Sequence, residues 1–507
     1  MKYSSQGKQL RLDLFSDSLE HSLDPSNRWY RLANSLPWDE IERIYNKRLD
    51  NQHCGAGNKP ARMIIGALII KHKMNLSDEE TIQAIVENPY MQYFVGLDRF
   101  TSEPVFNSSL FVYIRKRIDV DSLNDMTLSL MKVESLDSGT ALEDNNQDDT
   151  PDAGSNSLIE DDGFIDEDGN LHKGTIKMDA TCCDVEVKYP TDLDVLNDAR
   201  GLSERLIDKL CLLSDSPKPR THRKEARSKF LEVIKKKRKS KNQIRQGIKQ
   251  QLGYLGRNIM HITNILSGSC TSFYDQLSKK ERQWIGTIIK VYRQQKGMYD
   301  ANVHQCPDRI VSVYQPHVRP IVRGKSKAKV EFGPKIGAAI VKGYTFVDHF
   351  SWDAYNESED LEEHINKYHE RFGYYPTKCY ADKIYMNKKN RDFLKKHHIQ
   401  AAGKPLGRPT KEMQTEAYKT QSAKDMGERN EAESSFGTGK RVYRADNVRA
   451  KLPDTADAWT ALCFFVKNVM KFLKGLLFAL FQRSILFFKK SCSKIMMDIF
   501  SPGWMAA

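Results

Sequence analysis

Apolar residues recur at three- and four-residue spacing through residues 27–133, which predicts a run of helices. Trp38-Asp-Glu-Ile41 continues to Ile44 and Tyr45, and residues 61–74 form a dense apolar stretch. Ser77-Asp-Glu-Glu80 has the form of a capping box, in which serine and glutamate satisfy free N–H groups of a first turn. It opens a helix through Val86 that Pro89 ends. Phe111-Val-Tyr-Ile-Arg-Lys-Arg-Ile118 reads as a final amphipathic helix with a basic edge. Residues 63–87 admit a helix-turn-helix and plain structural helices equally, and no base-reading residue is assigned.

The pattern then changes character. Residues 134–172 are rich in Asp, Glu, Asn, Gly and Ser and too poor in apolar groups to offset ordering entropy, so they read as a flexible acidic linker. Residues 174–183 alternate and end in small side chains, as a central strand does. A helical insertion follows over about 190–300. Strands are predicted at 310–314, 329–336, 337–341 and 345–350, then a helix at 360–372, a strand ending at Asp382, a helix through Asn390, Phe393 and Leu394, and a short strand at 399–402. Trp459, Leu462, Val466, Val469 and Leu473 recur at helical spacing, as a core or oligomer seam requires. The partition is an all-α N-terminal domain (1–133), the linker (134–172), an α/β domain (173–474) carrying the insertion, and an apolar and basic tail (475–507).

Charge adds a partner. The 507 residues carry +13, but residues 134–168 hold 13 acids and no Lys or Arg, leaving 79 bases against 53 acids, or +26, elsewhere. Such a field suits polyanions, because neutralised phosphates release counterions. Its densest part lies between Lys218 and Lys249, with 14 Lys or Arg against Glu225 and Glu232, and includes Lys235, Lys236, Lys237, Arg238 and Lys239. These read as DNA-backbone contacts, the bland alternative being a solvated helical face anchored by Phe230, Leu231, Ile234, Ile244 and Ile248. Gly403-Lys-Pro-Leu-Gly-Arg-Pro409 is a rigid basic loop with a faint likeness to a minor-groove hook. Nine scattered cysteines without C-x-x-C spacing indicate neither a zinc site nor a disulfide framework. The first residues lack an apolar signal core, and in the greasy stretch 472–488 only 475–482 is uninterrupted by charge, too short to span a bilayer. A cytoplasmic, nucleoid-associated protein is expected, with no membrane partner.

Candidate chemistry rests on carboxylates. Two hard divalent cations about 3.5–4 Å apart clamp the attacking and leaving oxygens of a phosphodiester displacement, and they take oxygen ligands. Asp179, Asp382 and Glu433 supply such oxygens from separate segments. Arg429 and Glu433 are an i, i+4 pair, so on a helix the guanidinium lies beside the carboxylate and can grip a phosphate. Lys440 falls two turns beyond Glu433, and Gly437 and Gly439 put it in a loop just after that helix. Rival acids stand nearby: Asp184 and Glu186, Asp353, Glu428 and Glu431.

The chain resembles bacterial insertion-sequence DDE transposases, whose signature is Tyr, two residues, Arg, three residues, Glu, six residues, Lys. Arg429, Glu433 and Lys440 match it, whereas Met426 stands in the tyrosine slot. The resemblance spans about 15–475 and includes Glu87-Asn-Pro-Tyr-Met-Gln-Tyr-Phe-Val-Gly-Leu97, Tyr189-Pro-Thr-Asp-Leu193, Tyr314-Gln-Pro-His-Val-Arg-Pro320 and Ser351-Trp-Asp-Ala-Tyr-Asn356. It favours Glu433 over its rivals, since only Glu433 satisfies both the Arg and Lys spacings. It implies an RNase H-like catalytic core binding Mg²⁺ or Mn²⁺, two ions, through Asp179, Asp382 and Glu433, with Arg429 and Lys440 on phosphate and Asn387, Lys388 and Lys389 flanking the groove. The implied reaction is hydrolysis at the ends of the element, its terminal inverted repeats, followed by attack of the freed 3′-hydroxyl on target DNA, by a homodimer or larger assembly. The alternatives are a catalytically inactive, transposase-derived repressor that binds the ends, and a nuclease sharing the core.

Overall fold

The computed structural model describes residues 18–47, 49, 57–139, 163–267, 273–322, 330–402 and 415–499. Eight helices lead: α1 (Leu19–Ser22), α2 (Arg28–Ser35), α3 (Trp38–Lys47), α4 (Ala61–Met74), α5 (Asp78–Glu87), α6 (Pro89–Phe94), α7 (Leu110–Arg117) and α8 (Val120–Gly139). The capping box forms, Ser77 Oγ accepting from Glu80 N–H at 3.1 Å and the Glu80 carboxylate from Ser77 N–H at 2.7 Å. The pair α4 and α5 has the spacing of a helix-turn-helix. Yet α4 is core, and α5 turns Glu79, Glu80, Gln83 and Glu87 outward, an acidic face that repels phosphate. The helix at 110–117 is not the last of its group, because α8 follows it across the predicted boundary at 133.

Two pieces of the stretch read as linker are folded. The end of α8 is one, where Glu134 pairs with Lys471 at 3.0 Å and accepts from Tyr344 OH at 2.7 Å. The other is a hairpin of β1 (Phe164–Ile165) and β2 (Leu171–His172), in which Asp166 meets His172 Nε2 at 2.9 Å. Residues 140–162 lie outside the described residues, as does the basic loop 403–409.

The central strand β3 (Thr175–Cys182) leads into the helical insertion: α9 (Asp192–Leu213), α10 (Arg223–Ile234), α11 (Lys241–Ser267), α12 (Phe273–Gln276) and α13 (Lys279–Ala301). The insertion packs around its own apolar core, with Leu196, Leu202, Leu210, Leu255, Ile288 and Val291 at its centre. A small ribbon of β4 (Pro320–Val322) and β5 (Val330–Phe332) returns the chain to β6 (Lys335–Val341) and β7 (Tyr344–Ser351). Then come α14 (Leu361–Phe372), β8 (Lys378–Ala381), α15 (Lys388–Lys396), β9 (Gln400–Ala402), α16 (Glu416–Tyr443) and α17 (Pro453–Ile499). Residues 310–314 are not a strand. Gln294 takes both backbone groups of Ile310, donating to its carbonyl at 3.0 Å and accepting from its N–H at 2.8 Å, so those groups have no need of a neighbouring strand.

The main sheet has the order β7-β6-β3-β8-β9, with β6 antiparallel to β3 and β7, and β8 and β9 parallel to β3. At its β7 edge, Asn468 of α17 receives Thr345 N–H at 2.9 Å and donates to its carbonyl at 2.7 Å. Asn124 of α8 does the same to Val347, at 3.2 and 2.8 Å. Two buried asparagines thus stand in for a sixth strand and close an edge that would otherwise invite pairing. The N-terminal helices, the sheet and α17 share one hydrophobic core, so the helical region and the α/β region form one packed body. Among the described residues, no helix is long and apolar enough to cross a membrane.

Candidate active site

Parallel pairing of β3 and β8 sets Met178 opposite Ala381, and the next residues along the two strands are Asp179 and Asp382. Two carboxylates therefore leave neighbouring strands at the same level. Asp179 is part-buried and accepts from Ala180 N–H at 2.8 Å. Asp382 caps the short helical turn Lys383–Tyr385 through a 2.7 Å bond from Lys383 N–H, so it keeps a capping duty while staying 54% exposed. The third carboxylate comes from α16, which crosses over β3 and β8 and presents Glu433 to solvent.

Arg429 ties two of the three together, its guanidinium lying 3.2 Å from Asp382 and 3.4 Å from Glu433. The i, i+4 geometry is as expected, but the partner of Arg429 here is the acidic pair itself. Four of the five rivals are occupied elsewhere. Lys177 Nζ binds Glu428 at 2.5 Å and also Glu431, which engages both carboxylates. Asp184 accepts from Phe332 N–H at 2.9 Å in the ribbon, Glu186 is exposed, and Asp353 faces Arg319 at 3.6 Å.

Burial, and after it the carboxylates of Glu357, Asp382 and Glu433, push the Asp179 carboxyl up to about 6. Glu357 was not among the residues singled out from sequence. It opens the turn Glu357–Glu359 behind β7, directly after Asn356 of a phrase that carries the resemblance, and pairs with Lys335 at 2.8 Å. Only the fold brings it to Asp179; in the sequence it stands among Asp353, Glu359 and Asp360 with nothing to mark it.

Lys440 is helical, in the last turn of α16, not in a following loop. Gly439 causes the difference. Phe464 of α17 packs so close that a side-chain carbon at Gly439 would stand 2.6 Å from its ring, so this glycine is a packing device inside a helix. Lys440 lies by Asp184, Cys182 and Cys183, whose titration it favours, toward the far end of β3. Asn387 caps α15 by accepting from Asn390 N–H at 2.9 Å. Lys235, Lys236, Lys237, Arg238 and Lys239 occupy the exposed connection from α10 to α11, well clear of the insertion core. A cleft of about 490 Å³ adjoins the carboxylates, lined by Asp382, Arg391, Met426 and Arg429 among others, so the residue in the tyrosine slot faces the same space as Asp382.

All-oxygen donors, and an Asp179 carboxyl raised by burial and then by neighbouring carboxylates, fit a hard divalent cation. Asp382 and Glu433 lie near enough to act on Asp179, but the three do not close on one point; the sets of described side chains whose ligand atoms lie within 4.8 Å of one another are Asp166, Asp168 and His398, and His349, Asp360 and Glu363.

Comparison with known proteins gives two family matches: a transposase domain (DUF772) over residues 17–117, and a transposase DDE domain over residues 379–470, which takes in Asp382, Arg429, Glu433 and Lys440. A Rhizobium meliloti protein described as uncharacterized protein ORF8 in nfe locus is 33% identical over 137 residues, 27% of this chain and 63% of the relative. No solved structure matches. A transposase domain matches its leading helices and a transposase DDE domain matches the segment with two of its three site carboxylates, findings consistent with an insertion-sequence DDE transposase.

Proposed function

We propose that this chain is an active DDE transposase that cuts DNA at the ends of its own element and joins them to a target. The observation that carries the reading is the convergence on Asp179 of carboxylates from other segments, Asp382 after β8 and Glu433 on α16. The strand order β7-β6-β3-β8-β9, with only β6 antiparallel to its parallel companions and to β7, supports an RNase H-like core for the α/β region.

Asp179, Asp382 and Glu433 would hold Mg²⁺ or Mn²⁺, which when bound lowers the pKa of a water nucleophile and screens charge on the phosphodiester. The chain's own residues do the rest. Asp382 and Glu433 present exposed oxygens, and Arg429, seated between them, is placed to transfer its two donors to an incoming phosphate. Lys177 holds Glu428 and Glu431, leaving Glu433, on Arg429, as the one of these three acids that serves the site. The exposed cations at 235–239 grip backbone phosphates of double-stranded DNA without reading sequence. Two element ends are cut together, which makes a homodimer or larger assembly the working form.

The test is incubation of the purified chain with a plasmid carrying its terminal repeats, with and without Mg²⁺. Metal-dependent cuts at the repeat ends that leave 3′-hydroxyls are the expected result. Binding to those ends with no cut in Mg²⁺ or Mn²⁺ would overturn the proposal in favour of an end-binding repressor, and cuts independent of the repeats in favour of a nuclease.

A further inference from the structure

A second polar cluster lies beside Gly337 of β6, outside the three site carboxylates. A side-chain carbon at Gly337 would stand 2.9 Å from Asp360 Oδ2, 3.2 Å from His364 Nε2 and 3.3 Å from Tyr355 OH. His364 Nε2 is buried without a hydrogen-bond partner, the Tyr355 hydroxyl and Asp360 Oδ2 have only each other, and His364 and Asp360 are 0% and 4% exposed. Leaving a buried imidazole nitrogen orphaned beside a thinly partnered carboxylate is costly.

The orientation of His364 is specific. Its Nδ1 meets Asp348 Oδ2 at 2.6 Å, and Asp348 is itself gripped by Arg371. A buried carboxylate on one ring nitrogen, with the other nitrogen left without a partner near Asp360, is the arrangement that fixes histidine beside a metal site. Asp360 bridges outward, its Oδ1 lying 2.7 Å from His349 Nδ1. The potential ligand atoms of His349, Asp360 and Glu363 lie within 4.8 Å of one another. Glu363 is exposed and also pairs with Lys367 at 2.7 Å.

We infer that His349, Asp360 and Glu363 form a site for one divalent transition-metal ion of zinc type, separate from the site carboxylates, with His364 packed beside Asp360. Mixed imidazole and carboxylate donors select such an ion over Mg²⁺, which favours oxygen alone. An ion here would tie β7 to the start of α14 and so fix the turn Glu357–Glu359, from which Glu357 acts on Asp179. The inference does not depend on the proposed transposition chemistry. Its rival is a buried water satisfying the orphaned His364 nitrogen.

The test strips the purified full chain with a chelator and titrates it with Co²⁺ alone. The expected result is a visible absorption band of nitrogen-ligated, low-coordinate Co²⁺ saturating at roughly one ion per chain and bleached by zinc. Glu363→Gln and His349→Ala should each weaken Co²⁺ binding at least tenfold, while Asp382→Asn leaves the band unchanged. Glu363 and His349 are surface-accessible, so circular dichroism should show both variants folded, and zinc should raise the melting temperature of wild type but not of Glu363→Gln. Absence of the band in folded wild type, a full band in folded Glu363→Gln and His349→Ala, or its loss in Asp382→Asn would overturn the site.

Discussion

Replacing Asp179 with asparagine should stabilise the metal-free protein at neutral pH even as it removes the chemistry. The folded carboxyl sits at about 6 against an ordinary value of 3.8, because burial and three neighbouring carboxylates oppose its charge. That gap is worth roughly 3 kcal/mol at about 1.4 kcal/mol per pH unit, as an upper figure. Asparagine keeps an oxygen for the Ala180 N–H and carries no charge, so a gain of about 1–3 kcal/mol is expected. The sign follows from the direction of the shift. The native state binds the proton more tightly than the unfolded chain, so the penalty on wild type is absent below pH 3.8, grows as pH rises, and is complete above about 6. Urea unfolding in EDTA at pH 8 should therefore show a higher midpoint for Asp179→Asn with an unchanged slope, and the gap should shrink by about half at pH 5. Mg²⁺ should raise the wild-type midpoint and leave the variant's in place. A variant no more stable than wild type at pH 8, or a gap that does not narrow toward pH 5, would refute the reasoning.

Two glycines of α16 should respond in opposite directions. Gly439→Ala, whose new carbon would meet the Phe464 ring at 2.6 Å, should cost about 1–3 kcal/mol in denaturant unfolding, whereas Gly437→Ala, with nothing within 4 Å, should gain about 0.5–1 kcal/mol from helix propensity. Changing Lys235, Lys236, Lys237, Arg238 and Lys239 together to alanine should leave folding intact, since all five are exposed, and should lower the log–log salt slope of DNA binding by up to about 4; an unchanged slope would take this connection off the DNA.

Strand logic was the most legible part of the molecule. Alternating then small residues mark a strand around Asp179 and another ending at Asp382, and the fold places the two side by side because parallel pairing registers Met178 with Ala381. Helices at 61–74 and from Ser77 were legible for the same local reason, apolar period and cap chemistry. What escaped depends on partners distant in sequence. Residues 310–314 have strand-like composition, but Gln294 takes the backbone of Ile310, and Gly439 reads as a breaker until Phe464 of α17 is seen against it. Glu357 acts on Asp179 across a fold that no spacing rule contains, and the occupation of Glu428 and Glu431 by Lys177 reaches across 251 and 254 residues. Gly475 belongs to the same class: α17 passes the boundary drawn at 474 without a break because it packs on α8 and β7.

The most direct test of the central claim compares acids of one helix in a Mg²⁺-dependent end-cleavage assay: Glu433→Gln against Glu428→Gln and Glu431→Gln, with Asp179→Asn and Asp382→Asn alongside. The geometry predicts that cleavage vanishes in the Glu433, Asp179 and Asp382 variants, with end binding largely intact, and persists in the Glu428 and Glu431 variants, whose acids serve Lys177. Cleavage at the wild-type rate in Glu433→Gln, or in either aspartate variant, would contradict it.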